Sequence, residues 1–420
     1  MLWPKQYKRS QVAAKTFKVV TLGCRTNQYE SQGYVDQLKK LGYTEGEDAD
    51  ICVVNTCTVT ESADSSSRHQ IRDVLRNNPK AKVMVTGCYA DGKPDEILAI
   101  DPRIEVVRNK QKESLLQIAL PEVEEIPEFK IERFEAHTRA FLKVQDGCNS
   151  FCSYCIIPYV RGRSRSRTQK EILEEAKGLI HNGYKEIVIT GINIGDYDGG
   201  GDDNLAGLVR ALDELEGLER LRISSIDPDE VDDNLLDAVI NGKKTSPSMH
   251  VVLQSGSNHV LKRMNRKYTR QMFLSTIDRL KGACPDFTFT TDIIVGFPGE
   301  SERDFEESLE MMREVKFSKV HMFPYSERKR TKAALFHDKV PHAIIKERKA
   351  KMLQLAEEVA YELREAYVGR VMKVLIENGN QGHTDNFLPV ILQGIEALPN
   401  DIVEVELYEN TPKGLLGRCR

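Results

Sequence analysis

The sequence predicts an α/β protein in three parts: a parallel-sheet α/β domain, a partial (β/α)6 barrel and a small C-terminal β-barrel. In residues 16–125, and again in residues 136–365, short β-branched runs alternate with helix-like stretches. In residues 366–420 the pattern changes to short strand-like runs separated by turn signals. Strands that alternate with helices favour parallel sheets, whereas short strands between turns favour an all-β domain.

The first part repeats an apolar run that ends at a cysteine. The runs are Lys18–Gly23, Ile51–Thr56 and Lys82–Gly87, and they end at Cys24, Cys57 and Cys88. The cysteines are 33 and 31 residues apart, close to the length of about 30 residues for one βαβ unit. Because parallel strands share a carboxyl edge, the three thiols could converge on a metal cluster. Small buried residues at strand ends are the alternative. Cys52 lies within its run, which indicates core packing.

The second part contains six strand candidates, preceded by an acidic linker with two prolines at residues 121–135. The candidates are residues 140–145, 186–190, 220–225, 249–253, 287–295 and 319–324, with amphipathic segments such as 168–181 and 302–315 between them. Six βα units predict a curved parallel sheet that does not close into an eight-stranded barrel. Active sites of such barrels lie at the carboxyl ends of the strands.

A C-x3-C-x2-C triplet, Cys148, Cys152 and Cys155, follows the first of these strands. Three thiolates suit a 4Fe-4S cluster and leave one iron without a protein ligand. The amino and carboxylate groups of S-adenosylmethionine can chelate such an iron, and an electron passed to the sulfonium can release a carbon radical. The alternatives are a zinc knuckle short of its fourth ligand, or three unrelated core thiols. No fourth Cys or His follows at a usual zinc spacing, which favours the cluster.

Five further residues are candidates for binding the nucleoside cofactor. Gly191 and Asn193 lie in a glycine-containing turn after the second strand, where the backbone can approach a ligand closely. Gln254 and Ser255 follow the fourth strand and offer amide and hydroxyl groups. Phe297 lies in a Gly-Pro-Gly turn and could pack on adenine. A tight turn and an ordinary core aromatic are the alternatives.

Two basic runs are candidates for contacting RNA. They contain Arg161, Arg163, Arg165 and Arg167 after the cysteine triplet, and Arg328, Lys329 and Arg330 after the last strand of the second part. In an extended segment, alternate side chains share one face. Arginines on one face suit phosphate recognition, with nearby aromatics for stacking on bases. A solvated charged loop is the alternative.

Composition describes an ordinary globular protein of 420 residues, with 40% hydrophobic residues and a net charge of −4. This charge predicts no global attraction to nucleic acid, so RNA binding requires local basic patches. The start, Met1–Lys18, is basic without an apolar core, and no apolar stretch is long enough to cross a bilayer. The lack of such a stretch predicts no membrane partner, and nine cysteines without an export signal indicate metal binding or free thiols in a reducing cytoplasm.

The third part has three strand candidates: residues 371–376, 388–392 and 402–407. A small β-barrel of this kind often binds oligonucleotides. A plain structural appendage is the alternative. The sequence ends soon after Gly414–Leu416, which predicts a minimal barrel.

From about Lys18 to Arg420, the chain resembles the methylthiotransferases of the radical S-adenosylmethionine superfamily. The matching stretches are LGCRTNQYES (22–31), VNTCTVTESA (54–63), VTGCYA (85–90), DGCNSFCSYCIIPYVRGRSRSR (146–167), LQSGSNHVLKRMNRKYT (253–269), DIIVGFPGE (292–300) and FPYSERKRTKA (323–333). This resemblance implies two 4Fe-4S clusters, an auxiliary one on Cys24, Cys57 and Cys88 and a radical-generating one on the triplet. It also implies that residues 366–420 form an RNA-binding TRAM domain.

LGCRTNQYES and GHTDNF (382–387) are most similar to the bacterial branch that acts on N6-threonylcarbamoyladenosine at position 37, beside the anticodon of tRNA. Other branches act on N6-isopentenyladenosine in tRNA or on an aspartate of a ribosomal protein. The implied activity is transfer of a methylthio group to carbon 2 of adenine. The implied partners are the tRNA anticodon stem-loop, S-adenosylmethionine and a one-electron donor such as flavodoxin or ferredoxin. A non-catalytic RNA-binding iron–sulfur redox sensor is the hypothesis from another class.

Overall fold

Two parallel β-sheets and one closed β-barrel follow one another along the chain, which confirms the predicted fold class. A computed structural model describes residues 15–134, 137–201, 203–394 and 397–419. Most of the basic start (residues 1–14), Glu135 at the end of the predicted linker, Ala136 and Arg420 lie outside the described residues.

The first sheet has five parallel strands in the order β2-β1-β3-β4-β5. Its elements are β1 (Thr16–Thr21), α1 (Arg25–Lys40), β2 (Thr44–Glu45), β3 (Ile51–Thr56), α2 (Glu61–Asn77), β4 (Lys82–Gly87), α3 (Cys88–Gly92), α4 (Pro94–Leu98), β5 (Ile104–Val106) and α5 (Leu115–Ala119). The central strand β3 is buried along its whole length, as expected for a strand covered by helices on both faces. Strands β1, β3 and β4 are neighbours, so the residues after them share one edge of the sheet.

The second sheet has six parallel strands in the order β13-β12-β11-β10-β9-β6 and stays open between β6 and β13. Its region contains β6 (Ala140–Lys143), β7 (Gln145–Asp146), α6 (Ile157–Val160), β8 (Arg165–Ser166), α7 (Gln169–His181), β9 (Glu186–Thr190), α8 (Leu205–Asp213), β10 (Arg220–Ile226), α9 (Asp233–Ile240), β11 (Thr245–Val251), α10 (Asn258–Arg263), α11 (Arg270–Ala283), β12 (Thr288–Val295), α12 (Glu302–Val315), β13 (Lys319–Pro324) and α13 (His342–Glu365). Short 3-10 helices lie at Asn109–Ser114, Ile194–Asp196, Pro228–Glu230 and Lys332–Leu335.

The fourth predicted strand of this sheet was placed too late in the sequence. Strand β11 begins at Thr245, not at residue 249. Its start is polar and contains Pro247, which disfavours a strand reading because proline cannot donate to the ladder. The register between β10 and β11 shifts in this region, between Leu221 and Ile223, and this irregularity accommodates the proline.

The C-terminal barrel closes in the order β14-β15-β16-β18-β17. Its strands are β14 (Val371–Ile376), β15 (Gln381–Thr384), β16 (Pro389–Gln393), β17 (Ile402–Thr411) and β18 (Gly414–Cys419). The sequence prediction missed β15, which is polar and contains a glycine, and β18. Because β18 pairs with both β16 and β17, the short tail completes the barrel.

The barrel is attached at the amino ends of the second sheet. Arg220 Nη2 donates to the carbonyl of Lys373 at 2.8 Å, and Arg222 Nη2 donates to the carbonyl of Thr384 at 3.0 Å. Both arginines lie on β10 and their partners lie on β14 and β15. The C-terminal barrel therefore covers the amino ends of the strands of the second sheet and leaves their carboxyl ends free.

Candidate functional site

The cysteine triplet lines a cavity of about 370 Å³ at the carboxyl ends of the second sheet. The walls come from residues near or beyond the carboxyl ends of five strands: Asn193, Asp227, Gln254, Asp292 and Phe323. The roof includes Val59 and Thr60 of the first domain. The cavity thus occupies the place where such barrels hold their ligands, and two domains enclose it.

The loop that carries the triplet is held by its own backbone. Gly147 has φ 75°, and a Cβ at this position would lie 2.0 Å from the carbonyl oxygen of Arg163. The N–H of Cys148 donates to the carbonyl of Gly162 at 3.2 Å, and the N–H of Cys155 donates to the carbonyl of Cys152 at 3.0 Å. The loop needs a glycine at position 147 because only glycine tolerates both this φ and this close approach.

The triplet thiols suit a soft, positively charged metal cluster. Burial raises the pKa of Cys148 and Cys155, so their thiolates require nearby positive charge. Arg266 Nη1 contributes some, since it donates to Cys152 Sγ at 2.9 Å. Within the described residues no three Cys, His, Asp or Glu side chains converge on a single metal ion. In a cluster with four irons each thiolate binds a different iron, so the thiols are farther apart than the ligands of a single metal ion. The cavity lined by the three thiols fits such a cluster.

Two of the five candidate cofactor residues line this cavity, Asn193 and Gln254. Asn193 Nδ2 donates to Glu230 Oε1 at 2.9 Å, and burial, followed by the nearby charge of Asp227, raises the pKa of Glu230 to about 7. Gln254 has φ 62°, and its buried Oε1 has no hydrogen-bond partner among the described residues. An orphan acceptor beside a cavity is suited to a ligand donor.

The other three candidates do not line the cavity. Gly191 lies in the turn beside it, where a Cβ would lie 2.8 Å from Ile194 Cγ2. Ser255 is buried and its hydroxyl accepts from the N–H of Ser257 at 3.2 Å. Phe297 is completely buried with Val260 and other apolar residues, so it cannot pack on adenine. The prediction for Phe297 is therefore corrected to a core role, because its turn directs the ring inward.

Sequence reasoning missed Asp227, Asp292 and Arg266, all of which line the cavity. Asp227 and Asp292 stand at or near the carboxyl ends of β10 and β12, a position that itself favours a functional role. Arg266 forms an ion pair with Asp227 besides its contact with Cys152. A polar residue near the carboxyl end of a predicted strand was the sequence feature that could have identified Asp227 and Asp292 as candidates.

The structure brings Cys24, Cys57 and Cys88 to one edge of the first sheet. Gly23, with φ 95°, lies so close to Cys57 that an added Cβ would be 3.0 Å from Cys57 Sγ. The N–H of Cys57 donates to Ser67 Oγ at 3.3 Å, and burial raises the pKa of Cys88 to about 12. Cys24 is exposed, whereas Cys57 and Cys88 are buried.

Arg161 is buried beneath this edge rather than exposed to RNA. Its Nε donates to Cys88 Sγ at 3.2 Å, and its Nη1 lies 3.0 Å from Glu30 Oε1 and 2.9 Å from Asp146 Oδ1. Burial alone would raise the pKa of Glu30, yet Arg161 and Lys112 lower it to about 2. The prediction that Arg161 contacts RNA is therefore wrong, because its guanidinium is paired inside the interface between the two domains.

Replacing Arg161 by methionine is expected to destabilise the apoprotein by about 1–3 kcal/mol, since Glu30 and Asp146 lose its hydrogen bonds and keep only Lys112 and Lys143 as buried partners. Urea denaturation followed by circular dichroism measures the shift of the unfolding midpoint. The matched control is Arg163→Met in the same loop. Arg163 is exposed, and its guanidinium carbon lies 4.3 Å from the centre of the Phe151 ring. Equal midpoints for the two variants would contradict the proposed role of the buried network.

The remaining basic candidates differ in exposure. Arg328 is buried and pairs with Asp64 at 2.8 Å, so the prediction that it contacts RNA is also wrong. Arg167 is partly buried and pairs with Glu175 at 2.7 Å. The exposed members are Arg163, Arg165, Lys329 and Arg330.

Arg163 and Arg330 belong to one exposed aromatic cluster. Arg330 lies over the ring of Tyr159 at 5.2 Å, and the rings of Tyr159 and Phe151 are 6.3 Å apart. Arg163 stacks on the other member of this ring pair, Phe151. Cations interleaved with aromatic rings can bind unpaired bases and phosphates.

Two family models match the chain. The Radical SAM superfamily matches residues 142–312, and the Uncharacterized protein family UPF0004 matches residues 16–108. Among solved structures, the radical S-adenosylmethionine methyltransferase TsrM from Kitasatospora setae is similar with a TM-score of 0.55 and 14% identity, over 74% of this chain and 73% of that chain. This likeness supports the fold alone.

Curated relatives are similar over nearly the whole chain. Threonylcarbamoyladenosine tRNA methylthiotransferase MtaB of Chlamydia pneumoniae is 47% identical, over 96% of this chain and 97% of that protein. The protein of the same name from Bacillus subtilis is 39% identical over 93% of both chains. The tRNA-2-methylthio-N(6)-dimethylallyladenosine synthase of Clostridium novyi is 34% identical over 86% of both. Among the described residues, no helix has both the length and the apolar character needed to span a membrane.

Proposed function

The chain belongs to the methylthiotransferases of the radical S-adenosylmethionine superfamily, and we propose that it adds a methylthio group to carbon 2 of N6-threonylcarbamoyladenosine at position 37 of tRNA. The observation that carries the proposal is the 47% identity to a relative of that name along almost the entire length of both proteins. The relatives named for dimethylallyladenosine are less similar, at 34–35% identity. Modification of N6-isopentenyladenosine is therefore the second candidate.

Carbon 2 of adenine carries an unactivated C–H bond, which side-chain acids and bases cannot open. Cys148, Cys152 and Cys155 would hold the 4Fe-4S cluster that, with S-adenosylmethionine, supplies a 5′-deoxyadenosyl radical able to abstract this hydrogen. Asn193 and Gln254 would orient the cofactor from the strand ends. The roof residues Val59 and Thr60 would limit access of water to the radical.

We further propose that Cys24, Cys57 and Cys88 hold a second 4Fe-4S cluster, which would supply the sulfur. The support is the shared strand edge, the donation from Arg161 to Cys88 Sγ, and the burial of two of the three thiols. Arg161 would keep this thiolate oriented and partly neutralised. The two cysteine triplets face one interface, since residues just after Cys57 form the roof of the cavity lined by the other triplet.

The exposed residues Arg163, Lys329 and Arg330 are proposed to contact the anticodon stem-loop, with Tyr159 as a stacking surface. The target base must leave its stack to reach the cavity, and cations beside aromatic rings favour a splayed-out loop. The C-terminal barrel is proposed to bind the stem. A small one-electron carrier such as flavodoxin or ferredoxin is the proposed reductant.

Nucleoside mass spectrometry of tRNA from cells lacking this chain tests the proposal. The expected result is loss of 2-methylthio-N6-threonylcarbamoyladenosine and accumulation of its unmethylthiolated precursor, with recovery when the gene is restored. Loss of the isopentenyl derivative instead would support the second candidate. Unchanged tRNA together with an altered ribosomal protein, or with no altered product at all, would contradict the proposal and favour the protein target or the redox sensor.

A further inference from the structure

A second, smaller cavity lies inside the open barrel and is lined by all three parts of the chain. Its volume is about 100 Å³, several times what one water molecule needs. The charged, polar and aromatic lining includes Arg25, Arg139, Phe141, Arg222, His250 and Phe387. Arg25 begins α1 directly after Cys24, and Phe387 follows β15 in the C-terminal barrel. The cavity therefore depends on how the three parts pack together.

The arginines of this cavity outnumber their acidic partners. Arg139 Nε and Arg222 Nε both lie 2.6 Å from Glu186 Oε1, and Arg220 also lies 3.7 Å from this carboxylate. Arg139 has a further ion pair with Glu377 in the C-terminal barrel. The single buried carboxylate of Glu186 thus pairs with three guanidinium groups.

The side chain of Arg25 has no hydrogen bond or ion pair with any described residue, and its guanidinium carbon lies 5.9 Å from the centre of the Phe141 ring. The side chain of Arg25 is exposed at this cavity, whereas Arg222, on another wall, is buried. No described carboxylate is paired with this guanidinium, so it is available to an anionic group of a bound substrate.

Two further nitrogen atoms of the cavity lack a hydrogen bond with any described residue. The side chain of Arg222 is only 6% exposed, and its Nη1 has no hydrogen-bond partner among the described residues. His250 Nε2 also lacks a hydrogen bond there. The guanidinium groups of Arg222 and Arg139 lie over the ring of Phe387 at 4.8 and 5.1 Å, which fixes their planes. A buried donor without an acceptor is destabilising, and a ligand with acceptor oxygens would supply the missing hydrogen bond.

This second cavity borders the cavity of the cysteine triplet. Thr290 and Asp292 are two residues apart on β12, so their side chains point to the same face of the sheet. Thr290 lines the second cavity and Asp292 lines the first. His250 Nε2 lies 3.5 Å from Asp292 Oδ2, across the boundary between the two. A substrate whose adenine occupies the first cavity can therefore extend a substituent into the second.

We propose that Arg25 and Arg222 bind the carboxylate of the amino-acid substituent on the target adenine, and so select this nucleoside. The inference rests on the function proposed above, and it names the residues that recognise the substrate. A threonylcarbamoyl group carries a free carboxylate, whose two oxygens match the fork of a guanidinium. An isopentenyl group is uncharged and would offer no acceptor to Arg25 or to Nη1 of Arg222, which disfavours its binding.

The test compares two stem-loop RNAs that differ by one charge, binding to the anaerobically reconstituted holoenzyme. One RNA carries N6-threonylcarbamoyladenosine and the other carries its methyl ester. The wild type is expected to bind the acid at least about tenfold more tightly than the ester. Arg25→Gln is expected to weaken binding of the acid by about tenfold and leave binding of the ester unchanged. Arg222→Gln should shift the preference in the same direction.

Arg210→Gln is the control, because Arg210 is an exposed arginine on the outer helix α8, paired with Asp237 at 2.8 Å. It should keep the wild-type preference. The visible absorption of the clusters verifies that each variant is loaded. Equal affinity of the wild type for the two RNAs would overturn the proposed carboxylate subsite. Equal weakening of both RNAs by Arg25→Gln would also overturn it, because that result would indicate a contact between Arg25 and a phosphate.

Product analysis separates failure of the subsite from failure of the proposed function. If the wild type methylthiolates the acid RNA but shows no preference over the ester, the function stands and the subsite is wrong. If the wild type forms deoxyadenosine yet methylthiolates neither RNA, the proposed function itself is wrong. Methylthiolation of an isopentenyl stem-loop at the same rate as the acid would also overturn the selective role of Arg25 and Arg222.

Discussion

Replacing Cys155 by alanine is expected to abolish formation of 5′-deoxyadenosine from S-adenosylmethionine. The reason is that a cluster anchored by only three thiolates has no spare protein ligand, so loss of one leaves a second iron open. The substitution itself removes a single sulfur from a loop whose backbone hydrogen bonds remain. The measurement is chromatographic detection of deoxyadenosine from the anaerobically reconstituted, reduced protein.

Cys284→Ala is the matched control for this experiment. Cys284 is a partly buried thiol beside the core of the second sheet, away from both cavities, and its loss should leave deoxyadenosine formation at the wild-type level. A Cys155 variant that still forms deoxyadenosine at the rate of this control would refute the assignment of the triplet as cluster ligands.

Replacing Cys57 by alanine is expected to stop methylthio transfer while sparing the cleavage of S-adenosylmethionine. The two functions separate because Cys57 follows β3 of the first sheet, whereas Cys148, Cys152 and Cys155 lie in a loop of the second. Only the sulfur-supplying cluster depends on Cys57. Two assays on one preparation give the result: deoxyadenosine by chromatography and modified nucleoside by mass spectrometry.

The control for Cys57 is Cys52→Ala, five residues earlier and on β3 itself. Both thiols are buried, but Cys52 packs in the apolar core of the first domain. This change removes one small buried group and should lower stability by about 1 kcal/mol without stopping transfer. Full tRNA modification by the Cys57 variant would show that no second cluster on this residue is needed.

Much of the fold was predictable because parallel sheets have a local signature. The apolar run Ile51–Thr56 and its neighbours predicted three strands of the first sheet, and the six βα units predicted the open second sheet, both confirmed by the strand order. The missed strand β15 shows the limit of this approach. Its polar residues form a strand only because β14 and β16 pair with it on both sides.

The candidate site was predictable to a lesser degree. The cysteine spacing indicated both triplets, and the structure places them at the strand edges that the topology implies. The same reasoning failed for Phe297 and for Arg161, since exposure of a side chain is decided by its neighbours in space. Glu30, the partner of Arg161, lies 131 residues away in the sequence.

The sequence by itself determined the α/β class, the order of the three parts, the two cysteine triplets that follow strands and the resemblance to a family. These features depend on residue type, period and spacing along the chain. Only the tertiary structure decided which arginines are buried, which line a cavity and which remain free for RNA. A charged side chain enters the interior only where acids from distant segments meet it, and such pairings are visible only once the domains have packed.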